Sequence, residues 1–280
     1  MGENMYGEFL GDIIGQPYEF NNHKSKDFPL FAKNPSFTDD SILTIAVCEG
    51  LLNAGLEADE NTIKNSIIDS MQKWGHKYPH AGWGRKFYLW LIMESRKPYG
   101  SFGNGSAMRV SSIGWLYDSL EKTREVARWS AEVTHNHPEG IKGAECTASA
   151  IWLARNGHSK EQIKDYITTN FGYDLSLTCD QIRPNYKHIE SCQETIPQAI
   201  TAFLEGNDFE DVIRTAVSLG GDTDTLTGIA GAIAEAFYGI PENLINICHE
   251  ILDEEMKDVI ERFHTCVSAV QGGEAGHRRL

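Results

Sequence analysis

Two short acidic runs, one near each end of the chain, carry the residue types best suited to chemistry. Phe37-Thr38-Asp39-Asp40-Ser41 and Gly220-Gly221-Asp222-Thr223-Asp224-Thr225 each join carboxylates to hydroxyls. Such oxygens are hard ligands, suited to Mg²⁺ or Mn²⁺. Carboxylates brought together repel one another unless cations lie between them. The two runs therefore predict a metal site, holding two ions, assembled from opposite ends of the sequence.

A plainer explanation competes. Thr, Asp and Ser are common helix N-caps, and acids in a first turn suit the positive end of a helix. A cap needs one side-chain acceptor, however, and each run offers several. Gly220-Gly221 also lets the backbone approach whatever the acids hold.

The elements that must position these runs are helices. Leu43, Ala46, Val47 and Leu51 repeat at helical spacing after the first run, and Leu226, Ile229, Ala230, Ile233 and Phe237 after the second. Val126, Trp129 and Val133 form a further stripe, as do Ile141, Ala144, Ala148 and Ile151. Ser159 with Gln162 fits a capping box ahead of Ile163, Tyr166 and Ile167. Gly239-Ile240-Pro241 should stop the helix after Asp224, and Pro241 should open a final helix carrying Leu244, Ile245, Ile251 and Met256. The helix after Asp224 is rich in Gly and Ala, so it should pack closely at the centre. Alternating strand patterns are absent. The expectation is an all-α, compact single-domain orthogonal helix bundle over 1–270, with a disordered tail over 271–280. Phe171 to Glu194 reads as an ordered surface loop.

Composition narrows the function classes. The chain has 280 residues, 41% of them hydrophobic, enough for a sizeable core. Its net charge of −15 argues against a nucleic-acid surface. The N-terminus lacks a basic region followed by an apolar run, and no stretch is apolar enough to cross a membrane. The expected compartment is the cytoplasm, and the expected state is a monomer. Cys48, Cys146, Cys179, Cys192, Cys248 and Cys266 show no zinc spacing and read as reduced, mostly buried thiols.

Four further segments, in order along the chain, sharpen the reading. Gly11-Asp12-Ile13-Ile14-Gly15-Gln16-Pro17-Tyr18-Glu19 ends in an acid after a rigid proline. Ala81-Gly82-Trp83-Gly84 is a small-residue loop. Ser101-Phe102-Gly103-Asn104-Gly105-Ser106-Ala107-Met108-Arg109 has several permissive backbone positions. Thr134-His135-Asn136-His137-Pro138 carries two histidines. With the two acidic runs, these segments resemble the ADP-ribosylglycohydrolases from about Gly11 to about Tyr238. One departure is Ser41, which stands where the first metal motif usually has Thr. Another is Trp83-Gly84-Arg85-Lys86-Phe87, where no separate catalytic acid aligns.

The resemblance implies roles. Thr38, Asp39, Asp40, Asp222, Asp224 and Thr225 match the ligands of two Mg²⁺ or Mn²⁺ ions, which in such sites lie roughly 3.5–4 Å apart. Glu19 matches the acid facing the metals and the scissile bond, as acid/base or as a gate, so the catalytic set is Glu19, Asp39 and Asp40. Gly82, Trp83, Ser101, Phe102, Gly103, Asn104, Gly105 and His135 match an ADP-ribose groove. There, loop N–H groups and a helix starting at Ala107 would cradle the pyrophosphate, and Phe102 would stack on adenine or ribose. His135 would donate a hydrogen bond, His137 would cap a helix, and Arg109 would be a structural ion-pair partner. Because ADP-ribose is anionic and the chain is acidic, the metal ions would have to offset the repulsion. The implied reaction releases ADP-ribose from a protein or small-molecule acceptor. Two alternatives share these ligands: a two-metal nucleotide phosphohydrolase, and a catalytically silent ADP-ribose-binding relative.

Overall fold

The computed structural model describes residues 5–277, with side chains through 269. Along it run α1 Tyr6–Gly15, α2 Asp39–Ala54, α3 Glu60–Lys77, α4 Arg85–Ile92, α5 Ser111–Leu116, α6 Leu120–Glu132 and α7 Pro138–Arg155. The second half holds α8 Lys160–Phe171, α9 Cys179–Ile182, α10 Cys192–Glu205, α11 Phe209–Leu219, α12 Thr223–Tyr238, α13 Glu242–Ile251 and α14 Glu254–His277. The described residues contain no strand, only one isolated bridge between Gly103 and Ser191. The fold is all-α.

α12 is the central element, buried from Thr223 to Glu235. Its main neighbour is α1, and glycines set the distance between them. A Cβ on Gly7 would lie 2.3 Å from the Gly231 carbonyl oxygen, and one on Gly11 would lie 2.4 Å from the Gly228 Cα. Both contacts are with backbone, which cannot swing aside. Alanine at either position would push the helices apart, an overpacking cost of at least about 1–3 kcal/mol. The seam brings the C-terminal half of α1 beside the start of α12. Glu235 closes its other end, accepting the N–H groups of Tyr6 (3.0 Å) and Gly7 (3.1 Å) at the start of α1.

The expected capping box of α8 is present, with Ser159 and Gln162 each bonded to the other's backbone N–H. Three sequence expectations are corrected. The final helix is two helices, because Leu252 turns extended and Asp253 restarts the chain, accepting the Met256 N–H at 2.9 Å. No helix starts at Ala107. Instead the Asn104 carbonyl takes both the Ala107 and Met108 N–H groups in a 3₁₀ turn over Asn104–Ser106, and α5 begins at Ser111. The loop from Phe171 contains α9 and buries Tyr173, Leu175, Cys179, Ile182 and Tyr186. Of the expected tail, α14 covers 271–277, and 278–280 lie outside the described residues. The cysteines are all free and, apart from the half-buried Cys266, buried. No helix among the described residues is long and apolar enough to cross a membrane.

Candidate active site

The starts of α2 and α12 open onto one cavity of about 850 Å³, which brings both acidic runs to a common wall. α1 fixes the first run through a residue whose role sequence reasoning missed. Asp12 is fully buried and accepts the Thr38 N–H (2.9 Å), the Thr38 hydroxyl (2.9 Å), the Ser41 N–H (3.1 Å) and the Ser41 hydroxyl. Its one visible signal was a lone acid amid Phe9, Leu10, Ile13 and Ile14. The Ser41 hydroxyl is thereby committed to Asp12.

The capping explanation holds for part of the first run and fails for the second. Thr38 is the N-cap of α2 and accepts the Asp40 N–H at 3.3 Å. Asp222 stands at the N-cap of α12 but makes no side-chain cap. It accepts instead from the Asn104 side-chain amide at 2.6 Å. Thr223 turns its hydroxyl back to the Gly221 carbonyl, so Asp222 and Asp224 face the cavity without it.

Asp39, Asp40 and Asp224 are held well above the usual carboxylate range, first by burial and then by a neighbouring charge, that of Asp224 on Asp39 and Asp40 and that of Asp222 on Asp224. Burial lifts Asp222 to about 6. Asp40 Oδ2 is buried with no hydrogen-bond partner. An orphaned buried carboxylate oxygen, among acids that repel one another, is a donor set that fits hard divalent cations. Thr38, Asp39, Asp40, Asp222, Asp224 and Thr225 all line the cavity.

Glu19 reaches the same place from the loop after α1. Lys24 pins that loop, donating to the Tyr186 (2.8 Å) and Leu219 carbonyls. Glu19, His188 and Asp222 present ligand atoms within 4.8 Å of one another, and among the described residues this is the group of three that meets so closely. His188, which sequence reasoning missed, also bonds Glu190 at 3.0 Å and stacks on Phe20. Burial, then the Asp224 charge, raises Glu19 to about 7.

The opposite wall holds the other expected residues. Gly82, Trp83, Ser101, Gly103, Asn104, Gly105 and His135 line the cavity. Phe102 does not. The residue is 46% exposed, and its ring packs edge-on against His137. The loop's N–H groups are partly committed: Gly103 donates to Ser101 Oγ, and Asn104 to the Glu190 carbonyl. His137 caps α7, accepting the Glu139 N–H. Among the described residues Arg109 has no ion-pair partner. It is fully buried, and its Nη2 donates to the Ser130 carbonyl (2.8 Å) and Thr134 Oγ1 (2.9 Å).

A sequence model of the ADP-ribosylglycohydrolase family matches residues 3–272. The chain belongs to the ADP-ribosylglycohydrolase family. Among curated relatives, human ADP-ribosylhydrolase ARH3 is 29% identical, over 91% of this chain and 92% of its own. The mouse protein of that name is 28% identical, over 86% and 85%. The ADP-ribosylarginine hydrolase Tri1 of Pseudomonas putida is 24% identical, over 84% of this chain and 70% of its own. A solved structure described as an ADP-ribosylglycohydrolase-related protein complex shares the fold, with a TM-score of 0.70, 21% identity and coverage of 94% and 95%.

Proposed function

We propose that this family member hydrolyses the glycosidic bond between ADP-ribose and an acceptor, using two Mg²⁺ or Mn²⁺ ions. The observation that carries the reading is the meeting of both acidic runs and Glu19 in one cavity. Thr38, Asp39, Asp40, Asp222, Asp224 and Thr225 would hold the ions, and Glu19 with His188 stands close enough to Asp222 to share one. Bound there, divalent cations would orient the ribose diol and polarise it.

The chain's own groups supply proton transfer. In hydrolysis, a water oxygen bonds to the anomeric carbon as the bond from that carbon to the acceptor nitrogen or oxygen breaks. The departing sugar develops oxocarbenium-like charge, which an acidic wall stabilises. Water loses a proton and the acceptor gains one. Glu19, which burial and the neighbouring acids raise to about 7 before any cation binds, is the group placed to take or give that proton. Asn104 holds Asp222 in place through its amide.

The acceptor is tested with arginine-, serine- and nucleobase-linked ADP-ribose, reading products by mass spectrometry. Intact ADP-ribose plus the freed acceptor is expected from at least one of them. AMP would indicate the phosphohydrolase, and unchanged substrate with tight ADP-ribose binding would indicate the silent relative.

A further inference from the structure

Beside the acidic wall lies a cationic one. Arg85 and Lys86 occupy the first turn of α4, are exposed and line the cavity. Among the described residues neither has an acid partner. Gly84 gives α4 no side-chain cap, and a helix start favours acids over cations. Two cations therefore oppose the field of their own helix, in a chain of net charge −15. A local conflict of this kind is expected where a ligand resolves it.

His135 supplies a second, independent observation. It is only 6% exposed, lines the cavity, and its Nε2 has no hydrogen-bond partner among the described residues. Its Nδ1 lies 2.8 Å from Thr134 Oγ1, which accepts from Arg109. Arg109 can only donate, so the Thr134 hydroxyl is free to give its proton to Nδ1. In the tautomer where Thr134 donates to Nδ1, Nε2 carries the N–H and is an unpaired donor in the cavity lining. Burial, then the charges of Arg109 and Lys86, keeps the imidazole neutral.

We propose that Lys86 and Arg85 clamp the diphosphate of the substrate against His135. The proposal rests on the glycohydrolase reading. ADP-ribose carries its diphosphate one ribose away from the bond that breaks, so the anion falls beyond the acidic floor. The segment leading to Lys86 starts at that floor: a Cβ on Gly82 would lie 3.3 Å from Asp39 Oδ1. The Gly103 and Asn104 N–H groups are already bonded within the protein, which leaves more of the binding to side-chain charge. The cations thus offset the chain's repulsion of its ligand together with the metals.

Calorimetric titration with ADP-ribose and with ADP, in excess Mg²⁺, tests this on the full chain. The double variant Arg85→Gln/Lys86→Gln should bind both ligands about tenfold or more weakly, the scale of one lost charged hydrogen bond. The parent's affinity should fall from about 0.1 M to about 1 M salt, as the screening length shrinks from about 10 Å to about 3 Å, and the variant should lose most of that dependence. Lys86→Arg should retain the parent's affinity. In turnover, KM should rise while kcat is kept. The Mg²⁺-induced rise in melting temperature should match the parent's, which shows that the fold and the acidic wall are intact. Unchanged ADP affinity and salt dependence in the folded double variant would overturn the clamp. Variants that lose ADP binding, beside a parent that cleaves no ADP-ribosyl bond, would uphold the clamp and reject the glycohydrolase reading.

Discussion

Asp12 and Thr38 hold each other through two hydrogen bonds of 2.9 Å, one from the Thr38 N–H and one from its hydroxyl. Because the hydroxyl proton points to Asp12, the Thr38 oxygen keeps its lone pairs for the Asp40 N–H and for a cation. Asp12 → Asn would keep one acceptor oxygen and set an amide NH₂ against buried donors. Each donor left unpaired costs about 1–3 kcal/mol. We expect lower stability in urea and weaker Mg²⁺ stabilisation together. Full retention of both would show that Asp12 does not position the site.

Chelation should abolish activity, and Mg²⁺ or Mn²⁺ should restore it. Asp40→Asn removes one charge from a repelling group, so the metal-free protein should melt no lower than the parent. The metal-induced rise in melting temperature should shrink, because that rise reports binding to the folded state. Thermal scans with and without metal separate the two effects. Full turnover after exhaustive chelation would remove the basis for the metal site.

Glu19→Gln should lower turnover more than it weakens ADP-ribose binding, since a proton-transfer role is confined to the reaction step. Single-turnover kinetics beside calorimetry decide this. Equal losses in rate and affinity would make Glu19 a binding residue.

His135→Ala should weaken ADP-ribose binding by about 1.5–3 kcal/mol, the scale of a hydrogen bond to a charged group. Phe102→Ala should cost less, because its ring faces His137 and lies outside the cavity lining. The opposite order in a binding titration would mean that the 101–106 loop rearranges around the ligand.

Glu235 predicts a pH effect on folding. Burial lifts it from its ordinary 4.5 to about 8, so the folded protein holds its proton where the unfolded chain has released it. The folded state binds more protons, and stability therefore falls as pH rises from about 5 to about 8. Glu235→Gln removes the charge but keeps only one of the two oxygens that accept from Tyr6 and Gly7, so it should be less stable overall. Its urea stability should depend less on pH across that window than the parent's does.

Much of this protein was legible in its sequence because the relevant signals are local. Helical stripes after Asp40 and Asp224 place α2 and α12, and Ser159 with Gln162 places the start of α8. The acidic runs show their chemistry through residue type alone. Tertiary structure decided what depends on distance between segments far apart in the chain. The approach of α1 to α12 at Gly7 and Gly11 follows from small residues facing each other, which no single helix reveals. Asp12 gained its role only when α2 folded onto α1, and Phe102 was turned outward by its contact with His137. Among the described residues Arg109 meets a carbonyl and a hydroxyl in place of an acid, both through Nη2, and those partners come from α6 and the segment after it. Charge signs are written in the sequence, but which charges share a cavity is set by packing.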